Sequence, residues 1–421
     1  MKLEDIGFYT LSDHRVKSNA HAVLNGSPMP LSRCELILTN RCNFKCPYCR
    51  GLRKDIDREL TCKEATDILC RWTSHDLKNV RFSGGEPTLV SYLPGLVSWA
   101  ALGDVQRIAI STNGSAKLDL YKELIDRGVN DISISLDACC SSTGSIMSGA
   151  KGSVWERVVK NIEELSGMTY VTVGIVLTES NMHEAGKTIE FAKNLGVSDV
   201  RIIPAAQVDD KLSSLKLNEW NMDKPILNYR IQRAKEGKKV RGLSDTDSRR
   251  CFLSLDDMAV AGDYHFPCII YMREKGDPIG KVGDGMRKDR KKWCSEHDCY
   301  NDPICRGNCL DVCAMYNNKF QDKLIELCNL EKLDSSLFDW STWRKRNVSD
   351  LLKGTHLRFH NLEYVKDIIK RYAVGWAEGT ELPCRPKAGH VGLMMFKDDE
   401  HFWFHLRKNE FVEIFSDWNK K

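Results

Sequence analysis

Three cysteines, Cys42, Cys46 and Cys49, stand in the segment Arg41-Cys-Asn-Phe-Lys-Cys-Pro-Tyr-Cys-Arg50, just after an apolar, strand-like run. The C-x3-C-x2-C spacing gathers three thiolates on one short loop. Thiolates are soft donors that suit iron–sulfur clusters. A four-iron cluster held by three of them keeps one iron without a protein ligand, and an iron with an open position can take a substrate. Structural zinc is the competing reading, but zinc sites usually come as two C-x2-4-C or His pairs, and this triplet has no such His partner. A disulfide framework is disfavoured by an odd count of 17 cysteines. The opening Met-Lys-Leu-Glu-Asp-Ile-Gly also does not read as a signal peptide.

A second field of cysteines begins after residue 250. Cys251 and Cys268 flank a stretch that reads as a hairpin turning at Gly262-Asp263. Cys294-x4-Cys299-x5-Cys305-x3-Cys309-x3-Cys313 follows, and Cys328 comes last. A zinc ribbon or knuckle needs four ligands. The number of thiols here exceeds one tetrahedral site and suits two clusters better.

The elements that must position these groups alternate. Strand-like runs occur at Glu35–Thr39, Val80–Ser83, Arg107–Thr112, Asp131–Leu136, Val171–Leu177 and Val200–Pro204. Most read as apolar on both faces, as buried parallel strands do. Helical spacing fills Lys63–Thr73, through Ala65, Ile68, Leu69 and Trp72, and Val154–Leu165, through Val158, Val159, Ile162 and Leu165. A further helix is expected from Asn181 as N-cap to Gly196 as C-cap. Six successive βα units predict an α/β fold, a partial (β/α)6 TIM-like barrel, whose chemistry lies at the C-terminal strand ends.

The polar signals obey that rule. The Cys triplet follows the first strand, and Ser83-Gly-Gly-Glu-Pro-Thr88 follows the second. There the glycines would let a ligand approach the backbone, and Glu86 could accept from a ligand ammonium. Ser111-Thr-Asn-Gly114 ends the third strand and Ser133-Ile-Ser-Leu-Asp137 runs through the fourth. The fifth ends near Thr178, and Arg201 opens the sixth. Each is an ordinary turn by itself; their recurrence on one rim with the cysteine loop points to a site.

Over about Leu31–Ala206 the chain resembles the radical S-adenosylmethionine enzymes. Cys42, Cys46 and Cys49, with Tyr48 before the last cysteine, match that superfamily's C-x3-C-x-Φ-C motif, and Gly84, Gly85, Glu86 and Pro87 match its GGEP motif. The resemblance implies that GGEP binds the cofactor's methionine amino group. It also places Thr112, Asn113, Ser135 and Asp137 among further cofactor contacts, the ribose included, with Asn181 a looser match. A [4Fe-4S] cluster would bind S-adenosylmethionine through the methionine moiety at its fourth iron. Reductive cleavage would give methionine and a 5′-deoxyadenosyl radical that takes a hydrogen atom from the substrate. The protein's share is binding, orientation and exclusion of water.

Cys251…Gly262…Cys268, Pro303-Ile-Cys-Arg-Gly-Asn-Cys309 and the isolated Cys328 resemble the SPASM extension found on many such enzymes. Cys294-x4-Cys299 departs from it, since the family usually shows C-x2-C there. The match implies one or two auxiliary [4Fe-4S] clusters: Cys251, Cys268 and Cys309 for one, and Cys294, Cys299, Cys305 and Cys328 for the other. Cys313 would substitute for Cys328 or complete the first set. Such clusters relay an electron, bind substrate or staple a loop-rich region.

The expected organisation is an N-terminal extension (1–30), the barrel (31–207), a helical and basic linker (208–250), the cysteine-rich SPASM-like domain (251–330) and a small α+β C-terminal module (331–421). In the last, Ser349–Tyr372 reads as a helix, and Gly392–Phe396 with Phe402–Leu406 as a hairpin. The remaining thiols, Cys34, Cys62, Cys70, Cys139, Cys140 and Cys384, read as buried. A formal net charge of +4 in 421 residues gives nucleic-acid binding no support. No apolar run reaches the length of a membrane span, and many cysteines without an export signal point to a reducing cytoplasm and metal binding. The expected reaction oxidises or cross-links a peptide or protein side chain. An external electron donor of the flavodoxin or ferredoxin type would drive it, with a separate peptide-binding protein as a further partner. A dehydrogenase or isomerase acting on a small metabolite is the alternative, and a non-catalytic Fe–S binding protein is the third reading.

Overall fold

The computed structural model describes residues 3–6, 8–24, 29–50, 53, 55–56, 58–204, 212, 215, 223–330, 390–397 and 400–407. They form two compact units: residues 1–11 with 30–317, and residues 12–29 with 318–421. In the first, six parallel strands succeed one another: β1 (Arg33–Ile37), β2 (Asn79–Ser83), β3 (Arg107–Thr112), β4 (Asp131–Ser135), β5 (Tyr170–Leu177) and β6 (Asp199–Pro204). Three more, β7 (Asp257–Ala261), β8 (Tyr264–Phe266) and β9 (Gly280–Lys281), complete one open sheet of order β6-β5-β4-β3-β2-β1-β7-β8-β9. The partial barrel is therefore the fold. The expected hairpin turns at Gly262-Asp263, where Gly262 has φ +57°. Its first strand does something that the sequence pattern did not announce: β7 lies parallel to β1, Cys34 opposite Met258, and continues the barrel sheet.

The expectation that these strands are apolar on both faces is corrected. One face is apolar: Leu36, Val80, Phe82, Ile108, Ile110, Ile132, Val173 and Val200 are buried in the core beneath the helices. The other face carries Glu35, Arg81, Ser111, Ser133 and Arg201, which line a cavity. Alternation of period two is present but disguised, because the charged members are few and well spaced.

The helices of this unit are α2 (Cys62–Thr73), α3 (Leu93–Leu102), α4 (Leu118–Asp126), α5 (Ser141–Ser148), α6 (Gly152–Ser166), α7 (Ala185–Asn194), α8 (Pro225–Lys235), α9 (Ile269–Arg273), α10 (Met286–Glu296), α11 (Pro303–Asn308) and the start of α12 (Asp311–Leu330); α1 (Asp13–Leu24) belongs to the second unit. Thr61 and Glu64 form a capping box on α2, and Ala65, Ile68, Leu69 and Trp72 make its buried stripe. Cys70, on the opposite side of that stripe, and Cys62, the first helical residue, are exposed, not buried. Cys139 and Cys140 are half-buried and Cys34 is buried. Asn181 does not cap a helix with its side chain: a 3-10 turn, Met182–Glu184, intervenes before α7.

The N-terminal extension contributes to the core of the first unit. Ile6 and Phe8 are buried with Ile226 and Val312, and Phe8, Tyr9 and Thr10 line the cavity. In the second unit, β10 (His390–Lys397) and β11 (Glu400–Arg407) pair antiparallel as the hairpin reading expects. The expected helix Ser349–Tyr372 and Cys384 lie outside the described residues. Among the described residues no helix is long and apolar enough to cross a membrane.

Arg290 of α10 ties the cysteine-rich segment to the sheet. It is 1% exposed. It donates to the carbonyls of Ser254 at 2.6 Å, Phe266 at 2.9 Å and Asp257. Arg290→Leu leaves these carbonyls buried and unpaired, at about 1–3 kcal/mol each. Thermal unfolding under anaerobic conditions is expected to show a loss of about 3 kcal/mol or more. An unchanged midpoint contradicts this role.

Candidate functional site

A single cavity of about 1200 Å³ runs through the first unit, and both cysteine fields open into it. Cys42, Cys46 and Cys49 line it, as do Cys251, Cys268, Cys299, Cys305, Cys309 and Cys313. Cys42 and Cys49 are exposed and Cys46 is half-buried, all as free thiols.

The loop that carries the triplet is held by three strand ends. Gly85 N–H donates to the Thr39 carbonyl and Glu86 N–H to the Arg41 carbonyl, each at 2.8 Å. A Cβ on Gly85 would lie 2.2 Å from the Arg41 oxygen, and one on Gly84 2.7 Å from the Thr39 oxygen. The two glycines are thus required by the approach of the cysteine loop's own backbone, and not only by a ligand. At the end of β3, Asn113 Nδ2 donates to Asn43 Oδ1 at 2.8 Å and reaches Cys42 Sγ at 3.9 Å. At the end of β4, Asp137 accepts from the Tyr48 hydroxyl. On the other side, Lys45 N–H and Cys46 Sγ both donate to the Ser148 carbonyl.

Gly84, Gly85, Tyr48, Thr112, Asn113, Ser135 and Asp137 line the cavity beside the triplet; Glu86, Pro87 and Asn181 do not. Glu86 is fully buried. Its Oε1 accepts from Thr88 N–H at 3.0 Å, Thr88 Oγ1 at 2.6 Å and Thr112 Oγ1 at 2.8 Å, and its Oε2 accepts from Asn113 N–H at 2.7 Å. Its carboxylate therefore braces the β3 loop from behind the cavity wall. Asn181 is likewise engaged with the backbone: Nδ2 donates to the carbonyls of Asp137 (3.0 Å) and Val176 (2.9 Å), and Oδ1 accepts from Thr178 N–H at 2.8 Å. It positions Asp137 and does not itself face the cavity.

Burial pushes the Asp137 carboxyl up to about 6, against the opposing effect of the Tyr48 hydroxyl and Val176 N–H. Burial also raises the Cys46 thiol to about 11, so that its proton leaves only when a metal takes its place. Three adjacent soft donors fit a cluster with one open iron. The open side-chain oxygen of Ser135, the Asp137 carboxyl and the exposed backbone of the Gly84-Gly85 turn fit a polar cofactor beside it.

In the second field, Cys299 and Cys305 of one expected set and Cys251, Cys268 and Cys309 of the other line the same cavity. The Cys299 and Cys305 thiols lie within 4.8 Å of each other, and the neighbouring Cys299, with burial next, pushes the Cys251 thiol up. Cys294 is buried, donates to the Cys251 carbonyl at 3.4 Å and does not line the cavity. Cys268, Cys309 and Cys313 complete the lining. The side chain of Cys328 is outside the described residues. His297, which the sequence reading did not single out, joins Cys299 and Cys305, with the three ligand atoms within 4.8 Å of one another. Its signal was Cys294-x2-His297, a C-x2-H in place of C-x2-C.

Fold and site together define a cluster-dependent enzyme built on a partial parallel barrel. A profile described as the radical SAM superfamily matches residues 36–192. A probable GTP 3′,8-cyclase of Saccharolobus solfataricus is 30% identical over 215 residues, 50% of this chain and 68% of the relative. The chain belongs to the radical SAM superfamily, whose members use a [4Fe-4S] cluster and S-adenosylmethionine. A probable GTP 3′,8-cyclase of Metallosphaera sedula is 29% identical over 178 residues, 41% of this chain and 56% of that relative, so the match spans little more than half of its length. Among solved structures, Streptococcus suis SuiB bound to precursor peptide SuiA is 17% identical with a TM-score of 0.48, covering 68% of each chain. The structure described as native anSMEcpe with bound AdoMet is also 17% identical, with a TM-score of 0.49, covering 71% of this chain and all of that one.

The raised Asp137 carboxyl makes a signed pH prediction. The fold favours the neutral acid, so its contribution to stability is full below the ordinary value of 3.8 and is lost as pH rises through about 6. Cofactor hydroxyls need the ionised form as acceptor. S-adenosylmethionine affinity of the cluster-loaded protein is therefore expected to be flat above pH 7 and to fall roughly tenfold per unit below pH 6. Asp137→Asn should flatten that profile. Calorimetry across pH 5–8 checks it, and an unaltered profile in the variant removes Asp137 from the contact set.

Proposed function

We propose that this chain oxidises an anionic substrate, a peptide or protein side chain in the first instance, within the shared cavity, and that the electron left behind passes to the second cysteine field. When bound, the cluster and S-adenosylmethionine supply the electron and the hydrogen-abstracting radical for an unactivated C–H bond. The observation that carries the reading is the single cavity onto which both cysteine fields open. Oxidation needs an electron acceptor, and the second field offers one without leaving the enclosure.

Charge supports the substrate class. Arginines and lysines outnumber carboxylates among the lining residues by nine to five. Asp131 accepts from both Arg81 and Arg107 at 2.9 Å. Glu35 pairs with Arg33 at 2.7 Å, and Asp311 with Arg230. Arg201 has no hydrogen bond or ion pair among the described residues, its Nε is buried without a partner, and its guanidinium lies over the Phe8 ring at 5.9 Å. Burial, with Arg81 next, lowers it to about 10, so it remains a cation at neutral pH. A carboxylate or phosphate would complete it. A phosphorylated small metabolite is the second reading, favoured by the likeness to proteins named as probable GTP 3′,8-cyclases. An external electron donor and, for a peptide, a separate binding partner belong to this proposal, as does a cytoplasmic setting.

Anaerobic, cluster-loaded protein with reductant is expected to form 5′-deoxyadenosine, and replacing Cys42, Cys46 and Cys49 by Ala is expected to abolish it. Deuterium should move into 5′-deoxyadenosine from a deuterated acidic peptide; transfer from a nucleoside phosphate alone selects the metabolite reading, and transfer from neither sinks both. Arg201→Gln should raise the substrate KM by roughly 10–100-fold, the equivalent of one charged hydrogen bond, with kcat little changed.

A further inference from the structure

Around Cys251 the chain assembles a ligand set that is not all cysteine. Cys305 Sγ lies 3.6 Å from His297 Nε2, and His297, Cys299 and Cys305 present ligand atoms within 4.8 Å of one another. Cys251 lines the same cavity as Cys299 and Cys305. Separate backbone devices hold each member. His297 ends α10, its N–H donating to the Trp293 carbonyl at 2.8 Å, and Cys299 N–H donates to the Arg249 carbonyl at 2.9 Å. Asp302 Oδ1 caps α11 by accepting from Ile304 N–H at 2.7 Å and Cys305 N–H at 3.0 Å.

The imidazole is oriented toward the thiols. It stacks on the Trp293 ring at 4.0 Å with an interplanar angle of 16°, and Tyr271 stands edge-on to both rings. The competing use of Nε2 is Asp302 Oδ2, which is 3.6 Å away, beyond hydrogen-bond reach, and already accepts from the Tyr271 hydroxyl at 2.8 Å. Cys294, the sequence-expected ligand next to this set, is turned onto the Cys251 carbonyl and away from the cavity.

We infer that the auxiliary iron–sulfur centre nearest the end of α10 is held by three thiolates, Cys251, Cys299 and Cys305, and by the His297 imidazole. Three soft thiolates on cavity-lining positions favour an iron–sulfur group, and the imidazole fills the fourth position that the widened Cys294-x4-Cys299 spacing withholds. Exchanging an anionic thiolate for a neutral imidazole removes one negative charge from the centre, and histidine ligation raises the potential of iron–sulfur centres. The centre is thereby a better electron acceptor than its all-cysteine counterpart, which is what the proposed oxidation asks of it. The ligation itself stands on geometry; only its role as acceptor rests on that proposed reaction.

The test uses the full chain, purified and reconstituted without oxygen, with Cys42, Cys46 and Cys49 replaced by Ala so that only auxiliary iron is observed. Pulsed EPR of the reduced protein is expected to show a strongly coupled 14N nucleus that becomes 15N on labelling with [15N]histidine and disappears in His297→Ala. His297→Cys should keep the iron, lose the nitrogen coupling and shift the auxiliary midpoint potential downward. Absence of coupling in the unsubstituted ligand set, coupling that survives in His297→Ala, or zinc in place of iron overturns the inference. If His297→Ala fails to load or fold, the His297→Cys spectrum decides. None of these readouts involves substrate or S-adenosylmethionine cleavage, so failure to find deuterium transfer and failure of histidine ligation remain separate results.

Discussion

The concave face of the sheet must carry charge into a buried space, and the rest of the architecture follows from how that charge is compensated. Isolated ions cost several kcal/mol each to bury. Asp131 meets this by serving two guanidiniums, Arg81 from the neighbouring β2 region and Arg107 from β3. Burial works to raise its pKa, yet the two arginines outweigh it and hold the carboxyl below its ordinary value. Glu35 is balanced in the same way by Arg33, Arg273 and Arg81, with a Ser83 hydroxyl at 2.8 Å. The result is a polar enclosure in a protein whose opposite sheet face is a continuous apolar core. Arg201 is a cation that this scheme leaves without an ion pair among the described residues, and it adds to the enclosure's excess of positive charge.

Above that floor, the strand-end loops are organised by side chains that never reach the cavity. Glu86 collects four hydrogen bonds from Thr88, Thr112 and Asn113, and Asn181 clamps the turn between Asp137 and Val176. Groups that contact a ligand need partners that fix their orientation, and here two motif residues are those partners. The glycines before Glu86 play a related part. Their missing side chains let the turn dock on the carbonyls of Thr39 and Arg41, which sets the height of the cysteine loop against β2.

Much of this was legible in the sequence because it depends on spacing along the chain. The Cys42-x3-Cys46-x2-Cys49 triplet, the GGEP turn, the order of βα units and the Gly262-Asp263 hairpin are all local. What was not legible depends on partners far apart in sequence. The charged inner face was hidden because Glu35, Arg81 and Arg201 come one to a strand, so each run still reads as apolar. The parallel pairing of β7 with β1 joins residues more than two hundred positions apart. Whether a polar side chain in a motif faces a ligand or a neighbour cannot be read from its type, as Glu86 and Asn181 illustrate. Helix α5, with the sequence Ser-Ser-Thr-Gly-Ser-Ile-Met-Ser, has too few apolar residues for a periodic signal.

The pairing of β7 with β1 also decides what kind of object the second cysteine field is. A domain joined by a linker would present its metal groups at a distance set by a flexible segment. Here Cys251 and Cys268 bracket a hairpin whose first strand is hydrogen-bonded along its whole length to the strand that leads into the Cys42 loop. Arg290 then binds that hairpin's carbonyls to the helix that ends at His297. The two cysteine fields are therefore fixed to opposite ends of one rigid path through β1, β7 and α10, with the cavity between them. Electron passage depends steeply on separation, so a fixed path serves it better than a tethered module. A small apolar cluster of Ile37, Ile56, Ala259, Ala261, Phe266 and Met272 packs across the same joint, so the hairpin is held to β1 by its own core as well as by the sheet.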